Sequence, residues 1–162
     1  VSEPERTPDG HHIVVGGRRW RATDPAIPQK LRVELVEELM RARREVRTQG
    51  EEARHLVSDA KHALGERGEP WWEPATEDGR RHRLAATIRA LLRHRDGSTI
   101  CPSDAAKVVG GEHWRDLMDL AREVAAQLVE AGEVEVQQKG KRVDPAGARG
   151  PIRLAPGEDL QR

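Results

Sequence analysis

The chain has 162 residues, with 28 Lys and Arg against 28 Asp and Glu, so its formal net charge is zero. Charged residues make up 35%, hydrophobic residues 36%, and the mean hydropathy is -0.78. Such a composition suits one ordinary domain or two small ones around a thin core and excludes an apolar run long enough to cross a bilayer. A single cysteine, Cys101, excludes an intrachain disulfide and a cysteine-rich zinc site. No charged start leads into an apolar stretch, which predicts no secretory leader and a cytoplasmic location.

Arginine occurs 23 times and lysine 5 times, while Asn, Phe and Tyr are absent and four Trp are the only aromatics. Lys, Asn, Phe and Tyr use AT-rich codons, so a GC-rich bacterial genome explains the bias, and arginine abundance alone is no argument for nucleic acid. Residues 1–79 carry a net charge of -3 and residues 80–162 a net of +3, an asymmetry that permits an anionic partner for the second half without requiring one.

In chain order, residues 1–10 are polar, contain two prolines and predict a disordered lead. Ile13 to Val15 and Arg18 to Arg21 flank Gly16-Gly17 and predict a tight β-hairpin, since both turn positions tolerate positive φ. A hairpin is marginal alone, and Trp20 is its expected anchor. After Thr23-Asp24-Pro25, Pro28 suits a helix start; Leu31, Leu35, Val36, Leu39 and Met40 then repeat at helical spacing until Gly50. Ala53, Leu56, Val57, Ala60 and Leu64 form a second stripe ended by Gly65. Residues 11–67 therefore predict a β-hairpin plus an antiparallel helical hairpin. Residues 68–79, GEPWWEPATEDG, predict a linker pinned to a surface by Trp71 and Trp72.

Residues 80–156 predict a further domain, followed by a tail over 157–162. Leu84, Ile88, Leu91 and Leu92 mark a helix ending at Asp96-Gly97, and Ser98 to Ile100 is a short extended piece. Pro102 opens a second helix that Gly110-Gly111 closes. A third, long helix carries Trp114, Leu117, Met118, Ala121, Val124, Ala125 and Leu128 up to Gly132. Val134 and Val136 alternate as a strand, with Ile152 and Leu154 as its return partner and a long basic loop between. This order predicts a winged helix-turn-helix, within an α+β, mainly α protein.

The segments STICPSDAAKVVGGEHWRDLM, AGEVEVQQKG and VDPAGARGPIRL closely resemble an uncharacterised bacterial winged-helix family, a domain of unknown function, over residues 83–155. The resemblance implies a fold and carries no activity with it. The first half, IVVGGRRWRATDPAIP through ALGERGEPWWE, is similar to a segment of actinobacterial proteins labelled as Tol-type biopolymer transporters. Transport of that kind needs a membrane anchor, and no membrane partner is expected here.

Five cations, Lys139, Lys141, Arg142, Arg149 and Arg153, fall within 15 residues of the wing against Asp144 alone, and such a wing lays its charges along a phosphate backbone. His113 and Arg115, near the predicted start of the third helix, are the base-reading candidates, although Asp116, Asp119 and Glu123 make that helix a poor major-groove face. A second basic stretch, Arg80 to Arg83 with Arg89, Arg93 and Arg95, predicts a solvated helix face. Cys101 beside Pro102 predicts a buried structural thiol at a helix start. His55 and His62 are seven apart, too far along a helix to grip one zinc ion, and no nucleophile elbow or phosphate loop occurs. The expectation is a non-enzymatic, DNA-binding winged-helix protein acting in transcription regulation on double-stranded DNA, with no catalytic residues, cofactor or metal. The alternative is a protein-interaction or dimerisation module that meets a second copy or a protein partner through residues 28–67.

Overall fold

A computed structural model describes residues 3–162. Strands β1 (Glu5–Arg6), β2 (His12–Val15) and β3 (Arg18–Arg21) form an antiparallel sheet in that order. Gly16 and Gly17 take φ of 59° and 76°, the two left-handed positions that join β2 to β3 without splaying them. The predicted disordered lead is corrected over its described part: Arg6 pairs with Ile13 and Glu5 with Val14. Asp9 closes the intervening turn, its Oδ1 accepting from the Thr7 hydroxyl at 2.6 Å and the His11 amide at 3.0 Å. Residues 1 and 2 of that lead lie outside the described residues.

Helix α1 (Gln29–Gln49) starts behind Pro28 and ends at Gly50, whose φ of 67° turns the chain through a 3-10 segment, Gly50–Ala53, into α2 (Arg54–Ala63). Leu31, Leu35 and Leu39 are buried on α1, as the spacing predicts, whereas Met40 stands exposed. Its place on the buried face is taken by Glu38, which is 0% exposed and held bidentately by Arg41 at 2.8 and 2.9 Å. A carboxylate tolerates that burial only because the guanidinium satisfies both oxygens.

The linker lies against the first sheet. The Trp71 indole donates to the Ala22 carbonyl at 2.9 Å, and Trp72 stacks on His11 with ring centroids 4.1 Å apart. Trp20 is not the anchor the sequence predicts: it remains 39% exposed, so Trp71 and Trp72 dock the hairpin instead. Thr76 caps α3 (Glu77–His94) by accepting from the Gly79 amide at 3.0 Å. Helix α4 (Pro102–Gly110) follows; its start is closed by Asp104, which accepts the Cys101 amide at 2.9 Å. Cys101 caps that helix and accepts from the Ser103 hydroxyl at 3.0 Å.

The long third helix is shorter than predicted. Residues Gly111–Leu117 form a 3-10 segment with a break at His113, and α5 runs only over Met118–Glu130. The tighter turn aligns Trp114 with Leu117, and both pack on the core, Leu117 lying over Gly110. Strands β4 (Val134–Gln138), β5 (Lys141–Arg142) and β6 (Arg153–Pro156) make a second antiparallel sheet in the order β5-β4-β6. Ile100 adds a bridge to Leu154. The tail is held down as well: Leu160 is buried, and the Gln161 carbonyl accepts from Arg93 at 2.7 Å.

One core joins the two halves. Leu31, Leu35, Leu39 and Leu64 share one buried cluster with Leu84, Ile88 and Leu92 of α3 and with Val108, Val124, Val136 and Leu154, and α3 packs against α1 and α2 as well as α4 and α5. The change of composition at residues 68–79 is thus not a gap in packing. None of the described helices is long and apolar enough to cross a membrane.

Candidate nucleic-acid interface

The basic segment is built as a hairpin, not as one long loop. Gln138 pairs with Lys141 and Gln137 with Arg142, leaving Lys139 and Gly140 as a two-residue turn with φ of 51° and 78°. Lys139 is the one non-glycine with positive φ among the described residues. The chain then returns along a loop that is tied on both sides. The Gln138 side-chain amide donates to the Arg149 carbonyl at 2.6 Å and to that of Pro151 at 3.2 Å, and Arg122 donates to the Gly150 carbonyl. Asp144 accepts from the Ala146 amide at 3.0 Å, so its charge is spent on a local turn.

The five wing cations separate into three groups. Lys139, Lys141 and Arg149 are exposed, and among the described residues none has a carboxylate within ion-pair distance. Arg142 lies 3.4 Å from Glu135 but keeps three-quarters of its side chain in solvent, where a pair of this kind contributes little. Arg153 folds back onto the α3–α4 connection, donating to the Thr99 hydroxyl at 2.9 Å and carbonyl at 3.0 Å.

His113 and Arg115 are not brought to the wing. Both are on the 3-10 segment before α5, which corrects their expected place at the start of that helix. Arg115 covers the Trp114 ring at 4.4 Å, and Lys107 reaches the same ring at 4.8 Å. Between α5 and the wing runs a groove of about 400 Å³ whose charged lining is Asp119, Glu123, Glu130, Asp144 and Arg122. Arg122 is committed to the wing backbone and Glu123 to Arg81, so Asp119 and Glu130 leave the groove acidic while the hairpin above it is basic.

The second basic stretch is corrected outright. Arg81 bonds Glu123 at 2.9 Å and Arg83 bonds Asp24 at 3.0 Å. Arg89 is bidentate on Glu133 at 2.9 and 3.0 Å, and Arg93, buried, bonds Asp59 at 2.6 Å. Arg95 grips Glu34 at 2.9 and 3.0 Å and reaches Asp104 at 3.2 Å. These side chains link α3 to its packing partners, and of the arginines in the stretch only Arg80, in the wall of a cleft, makes no ion pair among the described residues. One signal in the sequence pointed this way. Leu84, Ile88, Leu91 and Leu92 form one stripe, and the small Ala86 and Ala90 carry the buried surface round to another side of α3, so arginines interleaved on such a helix must find acceptors inside.

A larger cleft, about 870 Å³, is separate from the wing and includes His62, Trp71, Arg80, His82, His113 and Asp116 in its wall. His62 Nδ1 donates to the Ser58 carbonyl at 2.8 Å, and its ring lies 4.5 Å from that of His82. Burial pushes the His62 pKa below its ordinary 6.5, and the neighbouring His82 and Arg67 add to this against the Ser58 bond. The folded state thus takes up this proton less readily than the unfolded chain, and stability is present above pH 6.5 and declines as pH falls through that value toward the lower folded one. His62→Gln is expected to reduce the fall in stability between pH 7.5 and pH 5.5 by less than about 1 kcal/mol, because the ring is partly screened by solvent. An unchanged pH dependence in paired thermal melts contradicts this. Among the described residues, no group of three or more His, Cys, Asp and Glu is arranged to hold a metal ion.

The molecule is thus a mixed helix and sheet structure with two small antiparallel sheets, whose second half ends in a basic hairpin over an acidic groove. Residues 81–156 match the family described as protein of unknown function (DUF3253), in agreement with the resemblance to an uncharacterised domain-of-unknown-function family over residues 83–155. The match takes in α3 from its second turn through β6 and leaves the first sheet, α1 and α2 outside. Comparison with curated proteins returns no match.

Proposed function

We propose that α3 to β6 is a winged helix of bacterial origin and that the protein is a non-enzymatic, cytoplasmic DNA-binding protein acting in transcription regulation. The order helix, bridge, helix, helix and three-stranded sheet supports the fold, with α4 and α5 as the helix-turn-helix and β4–β5 as the wing. The observation that carries the function is the wing itself. It holds Lys139, Lys141 and Arg149 out without acidic partners, and Arg142 with a weak one. Cations so placed meet phosphates at little desolvation cost.

The acidic face of α5 limits what such binding does. Asp119 and Glu130 oppose insertion of that helix between two phosphate backbones, so the contact is to the backbone, through the wing tip, with modest sequence specificity. The same acids favour a second reading, in which the α5 groove receives a basic protein segment and the winged helix is a scaffold.

A salt series on random duplex DNA separates the two. Three to four phosphate contacts predict a slope of log affinity against log salt of about -3 to -4, and Lys141→Ala with Arg149→Ala flattens it by about 2. Absence of binding at low salt overturns the DNA reading and leaves the scaffold, which light scattering then tests for a dimer.

A further inference from the structure

The first sheet carries a second cationic surface of a different kind, far from the wing in sequence. Arg6, Ile13 and Trp20 are direct neighbours across β1, β2 and β3, so they share one face; two residues along, Val15 and Arg18 form the next pair on it. Trp20 is 39% exposed and Val15 is 51% exposed, an apolar surface that neither the linker nor the helices cover. The Arg18 guanidinium lies 4.4 Å from the Trp20 ring centre, and Lys61 of α2 brings its ammonium to 5.2 Å. The Lys61 pKa is lowered first by burial and then by the charges of Arg67, Arg43 and Arg18, so these cations act on one another. Glu66 is the carboxylate that opposes them at Lys61, and it is occupied by the Thr23 hydroxyl at 2.9 Å.

We propose that this face binds single-stranded nucleic acid, with Trp20 stacking on a base and Arg18, Lys61 and their neighbours holding the backbone. An aromatic ring left in solvent and rimmed by cations is matched to a ligand with flat π faces and regularly spaced anions. A duplex does not fit, because its base faces are already stacked on each other. Arg18 is exposed and free to move from the ring to a phosphate when a base takes its place. This inference rests on the Trp20 face and is independent of the duplex reading of the wing.

The test is fluorescence anisotropy of a labelled oligo(dT) with the full chain at low salt, beside a duplex and anionic phospholipid vesicles. Trp20→Ala is expected to weaken oligo(dT) binding about tenfold, and Trp20→Phe to keep most of it. Arg18→Ala with Lys61→Ala should flatten the salt dependence. Lys141→Ala with Arg149→Ala should weaken duplex binding more than oligo(dT) binding, whereas Trp20→Ala should do the reverse. If Trp20→Ala fails to fold, Trp20→Phe against Trp20→Leu makes the same comparison with the π face as the main difference. No binding to oligo(dT), equal binding by the Phe and Leu variants, or a Trp20-dependent preference for vesicles overturns the proposal.

Discussion

Asp59→Ala is expected to destabilise the protein by about 3–5 kcal/mol, since it leaves a buried guanidinium without its counter-charge. Arg93 is only 2% exposed at its side chain and has two partners, the Asp59 carboxylate at 2.6 Å and the Gln161 carbonyl at 2.7 Å. Arg89 draws on the same carboxylate at 3.7 Å. Without Asp59, Arg93 keeps one neutral acceptor in a site closed to water. For a chain of this size the loss corresponds to a fall in melting temperature of about 10 °C. Asp59→Asn retains an acceptor but no charge and should lie between the two. Urea melts of the three proteins measure the difference. A loss below about 1 kcal/mol for Asp59→Ala would mean that Arg93 is hydrated and its burial is not as described.

A fragment limited to residues 81–156, the span of the family match, is expected not to fold cooperatively. Helix α3 is buried on the side that faces α1 and α2 as well as on the side that faces α4 and α5. Removing the first half takes Leu31, Leu35 and Leu64 out of the cluster that α3 shares with α1 and α2 and exposes apolar surface of α3. At about 25 cal/mol per Å² of apolar surface, three leucine-sized contacts alone exceed the stability margin of many small domains. The fragment also strips Asp24 from Arg83, Asp59 from Arg93 and Glu34 from Arg95. Circular dichroism melts test this: the full chain should give a sigmoidal transition and the fragment a shallow slope. A sharp transition in the fragment would show that the second half is autonomous.

Where a structural feature is set by neighbours in sequence, it was readable before any coordinates. Gly16-Gly17 turned the first hairpin, Pro28 and Gly50 bounded α1, and Pro102 opened α4. The wing tip was only half readable. Its cations and the pairing of β4 with β6 followed from alternation, but Lys139 in a two-residue turn did not, because lysine rarely takes positive φ and gave no turn signal. The start of α5 was missed for a related reason. Trp114 and Leu117 fit helical spacing, and 3-10 spacing places them together equally well.

What the sequence by itself determined, then, is the helices and the longer strands, with the position of the cations in the second hairpin and its loop: backbone sterics and apolar periodicity act over two to four residues and are written in local residue order. Only the tertiary structure decided which arginines are available to a ligand. Arg83, Arg93 and Arg95 look no different in sequence from Arg149, but their acceptors Asp24, Asp59 and Glu34 come from distant segments, before α1, in α2 and in α1. A charge becomes a clamp or a contact according to what packs opposite it, and that is fixed by the crossing of helices through one shared core.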